Sequence, residues 1–501
     1  MRKYFNKYTA IVVTVAGLMS GCGKDFLDIN TNPNSPTSAT PNLILSAGLN
    51  RTATQLSTSL NILGSLWVGQ IASPTDYLWY VSEKQYNITS SFYTGIWDTG
   101  YDILNDFEAT EVNAKAANMN YYIGMAKIMK AYNFQILVDT YGNVPYSEAL
   151  KGTSLINPKY DNAQDVYNGI MSDIDAGIAA IKSASATETK PSTDDILFKG
   201  NMTLWIKFAN TLKLRILIRQ SEMTDRAAYI TAEIAKITAE GSGFLGSGES
   251  AQINPGYVAS SGKLNPFWES YYQTAAGAIT NNYRGTKPTE YVLAKYDENT
   301  DPRKAQMYNT ITGGGYRVVP LGEPTTGPNV DFYKTANTSG LKPAGAVLKT
   351  ATGATPILIS AESLFLQAEA VQRGWLTGSA ATLYNSAIAE SFSFSGVANA
   401  ATEAVTYSAL PGVNFALATN KIEAIIKQKW LALNIIGGWE LWNDFRRTGF
   451  PSDNPLSKAA LTAKHPARLM YPNSELGTNS AQVKAQGTID PFDTKIFWDK
   501  N

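Results

Sequence analysis

The sequence predicts a mainly α fold: a scaffold of paired antiparallel helices with tetratricopeptide-like spacing, carrying a loop-rich and mostly irregular part. Three observations predict it. Long segments repeat apolar residues with helical period. Several of them place large, small and aromatic residues at the offsets that let two antiparallel helices pack closely. And 241–358 is rich in Gly, Pro, Asn and Tyr without a sustained period.

The first helix is expected over 41–57, behind a Ser/Thr-rich start suited to capping. Helices over 97–111 and 120–138 follow. Ala163, Tyr167 and Ile170 then have the spacing of the second helix of a repeat unit. In 201–220, Trp205, Phe208, Leu212 and Ile216 mark one buried face, and Trp205, Ala209 and Leu212 fit the first helix of another unit. A helix over 226–239 precedes the irregular stretch. Beyond that stretch, Leu364, Ala368 and Val371 are followed, twelve residues after Ala368, by Ala380, then Tyr384 and Ala387, which completes one full unit. A last helix is read over 421–434. The scaffold is thus expected mainly in 41–240 and 359–450 of a single domain spanning 41–501, with an irregular insert at about 241–358. A stretch so long without regular structure is normally functional or disordered, and its many aromatics favour packing over disorder.

The N-terminus reads differently. Residues 1–8 are basic, and 9–19 are apolar but too short to cross a bilayer, which takes roughly 20 residues. A basic start and a short apolar run make 1–21 a secretory signal peptide. Ser20 and Gly21 lead directly into Cys22, as in the bacterial lipobox, with Met19 where Leu is usual. Cys22 is therefore the expected lipidation site, and 22–40, rich in Asn, Pro, Ser and Thr, the tether. A stable anchor needs more than one acyl chain, as lipobox processing supplies.

Composition narrows the chemistry. Lys and Arg number 42 against 42 Asp and Glu. Without Arg2, Lys3 and Lys7 the count is 39 against 42, so no basic excess exists to bind nucleic acid. One Cys and one His, Cys22 and His465, exclude a disulfide within the chain, a multi-histidine metal site and most His-based hydrolytic machinery. The run 241–246 fits G-x-G-x-x-G, but a helix precedes it and no helix is expected after it, so the phosphate cradle lacks its frame. Asp297, Asn299 and Asp301 open like a calcium loop, yet Pro302 replaces the required Gly and Tyr308 the final Glu. No metal or cofactor is assigned, and a loop calcium site built otherwise stays open. Paired carboxylates, which need no His, leave a glycosidase open in principle.

Several stretches resemble one family. Lys24-Asp25-Phe26-Leu27-Asp28-Ile29-Asn30 follows Cys22, then Asn32-Pro33-Asn34-Ser35-Pro36. Tyr141 to Tyr146 reads YGNVPY, and Trp205 to Arg215 reads WIKFANTLKLR. Asp301-Pro302-Arg303, Ala368-Glu369-Ala370, Gly437-Gly438-Trp439-Glu440, Pro466-Ala467-Arg468, Tyr471-Pro472-Asn473 and Phe497-Trp498-Asp499 complete the order. Together they resemble the SusD/RagB-like lipoproteins over essentially the whole mature chain. The resemblance implies four tetratricopeptide-like units under a variable loop-rich part. It also implies a lipid-anchored, surface-exposed place at the outer membrane, a SusC-like TonB-dependent transporter as partner, and capture of a nutrient, usually an oligosaccharide and in some members a peptide, without catalysis.

Ligand capture of that kind needs aromatic faces for sugar C–H patches and planar polar groups for hydroxyls. Trp97, Trp205, Trp430 and Trp439 sit in helical patterns and read as core. Two loop-like clusters remain, 76–80 and 265–284. In them Trp79, Trp268 and Tyr283 are expected to stack, with Tyr77 and Tyr272 beside them, and Asp76, Asn282 and Arg284 to hydrogen-bond. Three readings stay open: oligosaccharide capture, peptide capture, and an exported carbohydrate-active enzyme.

Overall fold

The computed structural model describes residues 39–501; the expected signal peptide, the expected lipidation site Cys22 and most of the expected tether lie outside them. Pro41–Asn501 pack as one unit. Its scaffold helices are α1 (Pro41–Gln55), α2 (Asn61–Trp67), α3 (Gly95–Ala116), α4 (Asn120–Tyr141), α5 (Ala163–Ser183), α6 (Met202–Arg219), α7 (Ala227–Glu240), α8 (Ser360–Gln372), α9 (Ala380–Ser395), α10 (Ala400–Ser408), α11 (Lys421–Ala432) and α12 (Gly438–Thr448). A π-helical turn, Leu56–Leu60, joins α1 to α2.

Neighbours in sequence are neighbours in space. Helix α1 packs on α3, α3 on α4, α4 on α5, and α8 on α9. Helix α6 joins the two halves by touching both α5 and α8, and α12 crosses α2. The tetratricopeptide offsets account for the tight pairs. Ala368 and Ala387 are fully buried, and Tyr384, buried between α8 and the following turn, donates its hydroxyl to the Val413 carbonyl at 2.8 Å. Ala163, Tyr167 and Ile170 are likewise buried in α5, and Trp205, Ala209 and Leu212 in α6. Helix starts carry side-chain caps where the sequence supplies them: Asn162 for α5, Asn201 for α6, Ser379 for α9 and Asn420 for α11. Helix α4 is buried on nearly every side, so it is the central rod around which α3 and α5 lie.

The residues between α7 and α8 are mostly turns, but two short antiparallel ladders fasten them. β2 (Ala251–Ile253) pairs with β4 (Thr355–Leu358) and closes the base of the segment. β1 (Ile71–Ala72), just after α2, pairs with β3 (Lys287–Pro288), with Ile71 opposite Pro288. A small apolar cluster of Ala72, Val319 and Leu321, with Tyr333 against it, extends that junction. Stretches read as loops in the sequence contain short helices, Pro266–Tyr271 and Asn281–Gly285. Asn265 and Thr280 cap them by accepting from the amides of Trp268 (3.0 Å) and Tyr283 (3.2 Å). Elements of one turn or two show no period, so only their caps announce them.

Candidate ligand-binding face

The two aromatic clusters, about 200 residues apart in sequence, meet on one surface. Tyr80 has φ of 53°, a left-handed conformation that costs a tyrosine about 1 kcal/mol. It sends its own hydroxyl inward to Thr286 Oγ1 at 2.6 Å. The indole of Trp79 then lies against Gly285, where an added Cβ would stand 2.7 Å from the ring. Tyr77 stands edge-on to Trp79, with centroids 6.2 Å apart, and its hydroxyl reaches Asn281 Oδ1 at 3.4 Å. On the other side, Trp268 and Tyr272 are perpendicular at 4.7 Å, and Tyr272 meets Tyr283 at 5.2 Å. Tyr283 donates to the Leu341 carbonyl at 2.9 Å, which pins this row to the following loop. Burial, with Tyr272 alongside, pushes its phenol up to about 12.

All five of these rings are half-buried, fixed on one side and open on the other. That is the arrangement a stacking platform needs, because rings already immobilised lose little entropy on binding. The polar candidates divide. Arg284 is exposed, and its Nη1 reaches Asn281 Oδ1 at 3.4 Å. Asn282 is half-buried, with no side-chain hydrogen bond among the described residues. Asp76 turns the other way and accepts both the amide and the hydroxyl of Thr335 at 2.8 Å each. It clasps the 330–337 loop instead of facing the rings.

That clasp brings in residues the sequence reading passed over. Leu78 is 76% exposed between Tyr77 and Trp79. Phe332 is 51% exposed, with the Arg317 guanidinium 4.3 Å above its ring. Leu78 lies inside the 76–80 cluster, and the only sequence signal for Phe332 is the run NVDFYKT inside a Gly/Pro-rich stretch. Beneath the clasp, Lys287 is 4% exposed and donates to the Thr335 carbonyl at 3.4 Å. Burial pushes its ammonium down to about 8, against the pull of Asp76.

Lys287 makes stability depend on pH. Its folded value lies below the ordinary 10.5, so the unfolded chain holds more protons between pH 8 and 10.5. Its penalty is complete below pH 8 and relieved as pH rises to 10.5. Lys287→Met should therefore be more stable than the parent by about 3 kcal/mol at pH 7, an advantage that vanishes near pH 10.5. Urea unfolding of both proteins at the two pH values reads this difference, in which the titrating tyrosines cancel.

Among the described residues no group of three or more His, Cys, Asp or Glu could hold a metal ion, and no helix is long and apolar enough to cross a membrane.

The chain is similar in structure to a chitin-binding SusD homologue from Flavobacterium johnsoniae, at 25% identity over 91% of this chain and 99% of the other, with a TM-score of 0.73. A SusD homologue from Bacteroides fragilis matches over 93% of this chain and 100% of its own at 24% identity and a TM-score of 0.74. A SusD-like protein from Bacteroides thetaiotaomicron does so over 92% and 99% at 23% and 0.72. No curated protein matches the sequence. A family model, SusD-like, described as starch-binding and associating with the outer membrane, matches residues 33–472. With that match over most of its length, and with the helical scaffold and loop-borne face just described, the chain belongs to the SusD-like family of outer-membrane-associated nutrient-binding proteins.

Proposed function

We propose that this protein captures an oligosaccharide at the cell surface and delivers it to a SusC-like TonB-dependent transporter, itself catalysing nothing. On this reading 1–21 is a signal peptide, Cys22 carries the lipid, 22–40 is the tether and 41–501 is the single binding domain. One observation carries the proposal: Tyr77 and Trp79 are joined by the turn Asn281–Gly285 to the row Trp268, Tyr272 and Tyr283 as one open aromatic surface. Sugar rings stack on such rings through their C–H faces, while Asn282 and Arg284 stand ready for hydroxyls. The chitin-binding relative supports a saccharide ligand.

Titration calorimetry against oligosaccharides and peptides tests it. An oligosaccharide should bind, and Trp79→Ala and Trp268→Ala should each weaken it about tenfold or more, because each removes a ring worth about 1–3 kcal/mol. Affinity unchanged in both variants would move the site elsewhere. Peptides bound and no saccharide would replace the ligand class.

A further inference from the structure

The charge on this face points to a narrower ligand class. Of the eleven arginines among the described residues, six pair with carboxylates. Three more, Arg226, Arg446 and Arg468, are buried and donate to neutral oxygens. Arg284 and Arg317 are the remainder. Neither has a carboxylate within ion-pair distance among the described residues; Arg284 follows Tyr283 of the aromatic row, and Arg317 stacks on Phe332 of the loop that Asp76 clasps.

Their placement is not that of loose surface cations. Arg284 shares Asn281 Oδ1 with the Tyr77 hydroxyl, each at 3.4 Å, so its guanidinium stands at the edge of the Tyr77–Trp79 pair. Arg317 is stacked 4.3 Å over Phe332, which steadies the guanidinium plane and leaves its edge N–H groups free. The two segments converge. Arg317 exchanges hydrogen bonds with Ser339 at 2.7 and 3.3 Å, and Tyr283, next to Arg284, is fixed to Leu341. The acids on the surrounding elements are already answered. Asp76 accepts from Thr335 and faces Lys287 and Lys334. Asp331 pairs with Lys334, Glu290 accepts from the Tyr333 hydroxyl at 3.1 Å, and Glu269 from the Gly262 amide at 2.9 Å.

We infer that the saccharide taken by this face is acidic, bearing uronate carboxylates or sulfate esters that Arg284 and Arg317 receive while the aromatic row stacks the rings. A guanidinium matches either anion through two parallel charge-assisted N–H donors, whereas a hydroxyl of a neutral glycan takes only one of them and returns no charge. This inference rests on the oligosaccharide reading above and narrows it.

The test is calorimetry on the full-length protein with short oligogalacturonates, their carboxyl-reduced counterparts, sulfated galactan oligomers and oligoglutamate. One of the two acidic glycans should bind at least tenfold more tightly than the reduced oligomer, and the comparison of the two identifies the anion. That affinity should fall as salt rises from roughly 50 to 300 mM, where the Debye length shortens below the span of the site. Arg284→Gln and Arg317→Gln should each lose about tenfold for the acidic glycan and clearly less, no more than about threefold, for the reduced one, which loses at most a single neutral hydrogen bond, with the Lys variants recovering part of the larger loss. Equal affinity for acidic and reduced oligomers, or binding confined to neutral glycans, overturns the charge assignment and leaves saccharide capture standing. Binding of oligoglutamate alone overturns both.

Discussion

Arg219→Met should lower the unfolding free energy by about 3–5 kcal/mol, because it leaves buried carboxylates without their counter-charge. Arg219 is 0% exposed. Its guanidinium reaches Asp139 at 3.2 Å and Glu440 at 2.6 Å, and lies against the rings of Trp439 and Trp498. Lys429 meets the other oxygen of Glu440 at 2.9 Å and Asp444 at 2.9 Å, and Arg447 grips Glu369 with two bonds of 2.6 and 2.9 Å. Burial alone pushes Glu440 upward, but Arg219, Lys429 and Arg215 outweigh it and hold the carboxyl well below the usual range. Neighbouring Glu362 goes the other way, raised by burial and by Glu440 itself. The network is thus balanced only as a whole, and it ties α4, α6, α8, α11 and α12 where the two halves of the scaffold meet. Urea unfolding followed by tryptophan fluorescence measures the loss. Glu440→Gln in the Arg219→Met background should recover part of it, since the excess negative charge is then smaller. Asp102→Asn, which breaks a solvent-exposed pair with Arg51, is the control and should change stability by no more than about 1 kcal/mol. A loss in Arg219→Met no larger than the control's would mean that the network does not hold the halves together.

The same network shows what a sequence can and cannot disclose. Its members on α4, α6, α8 and α11 sit at helical spacing among apolar residues, so those helices were legible from the period, whereas α12, which carries Glu440, Asp444 and Arg447, was not delimited as a helix. Burial of Trp97, Trp205, Trp430 and Trp439 was legible for the same reason, since each falls on the apolar side of a helix. The charges inside were not, because Arg219 or Glu440 at a helical position reads equally well as a solvated face until its neighbours are known. The ladders were hidden by their length of two to four residues, too short for an alternation. The candidate face was half visible. Loop-borne aromatics at 77–80 and 268–283 stood out as clusters, but nothing local in either states that Gly285 makes room for Trp79. Phe332 and Arg317 escaped notice because they join the face through the Asp76–Thr335 clasp, a contact across 259 residues.

Gly64→Ala should cost about 3 kcal/mol or more, because the residue it would press on is backbone. A Cβ built on Gly64 stands 2.1 Å from the Gly438 carbonyl oxygen, and one built on Gly438 stands 2.2 Å from the Asn61 carbonyl oxygen. Helices α2 and α12 therefore cross with their main chains in contact, and the crossing is locked by Asn61, whose Oδ1 accepts the Gly438 amide at 2.9 Å. No rotamer change relieves such a clash; the helices must part. Parting them loosens the Trp67–Trp442 edge contact at 4.8 Å and shifts Glu440, two residues along α12 from Gly438, out of register with Arg219. The damage thus spreads from one methyl group into the charge network, and Gly438→Ala should behave alike. Gly95→Ala supplies the contrast. It lies at the start of α3 with nothing within 4 Å of an added Cβ, so it should be neutral or stabilising by up to about 1 kcal/mol. Thermal and urea unfolding of the three variants distinguish a packed crossing from ordinary helix propensity. If Gly64→Ala and Gly95→Ala shift stability by the same amount, propensity alone governs both positions and the close approach of α2 and α12 contributes nothing.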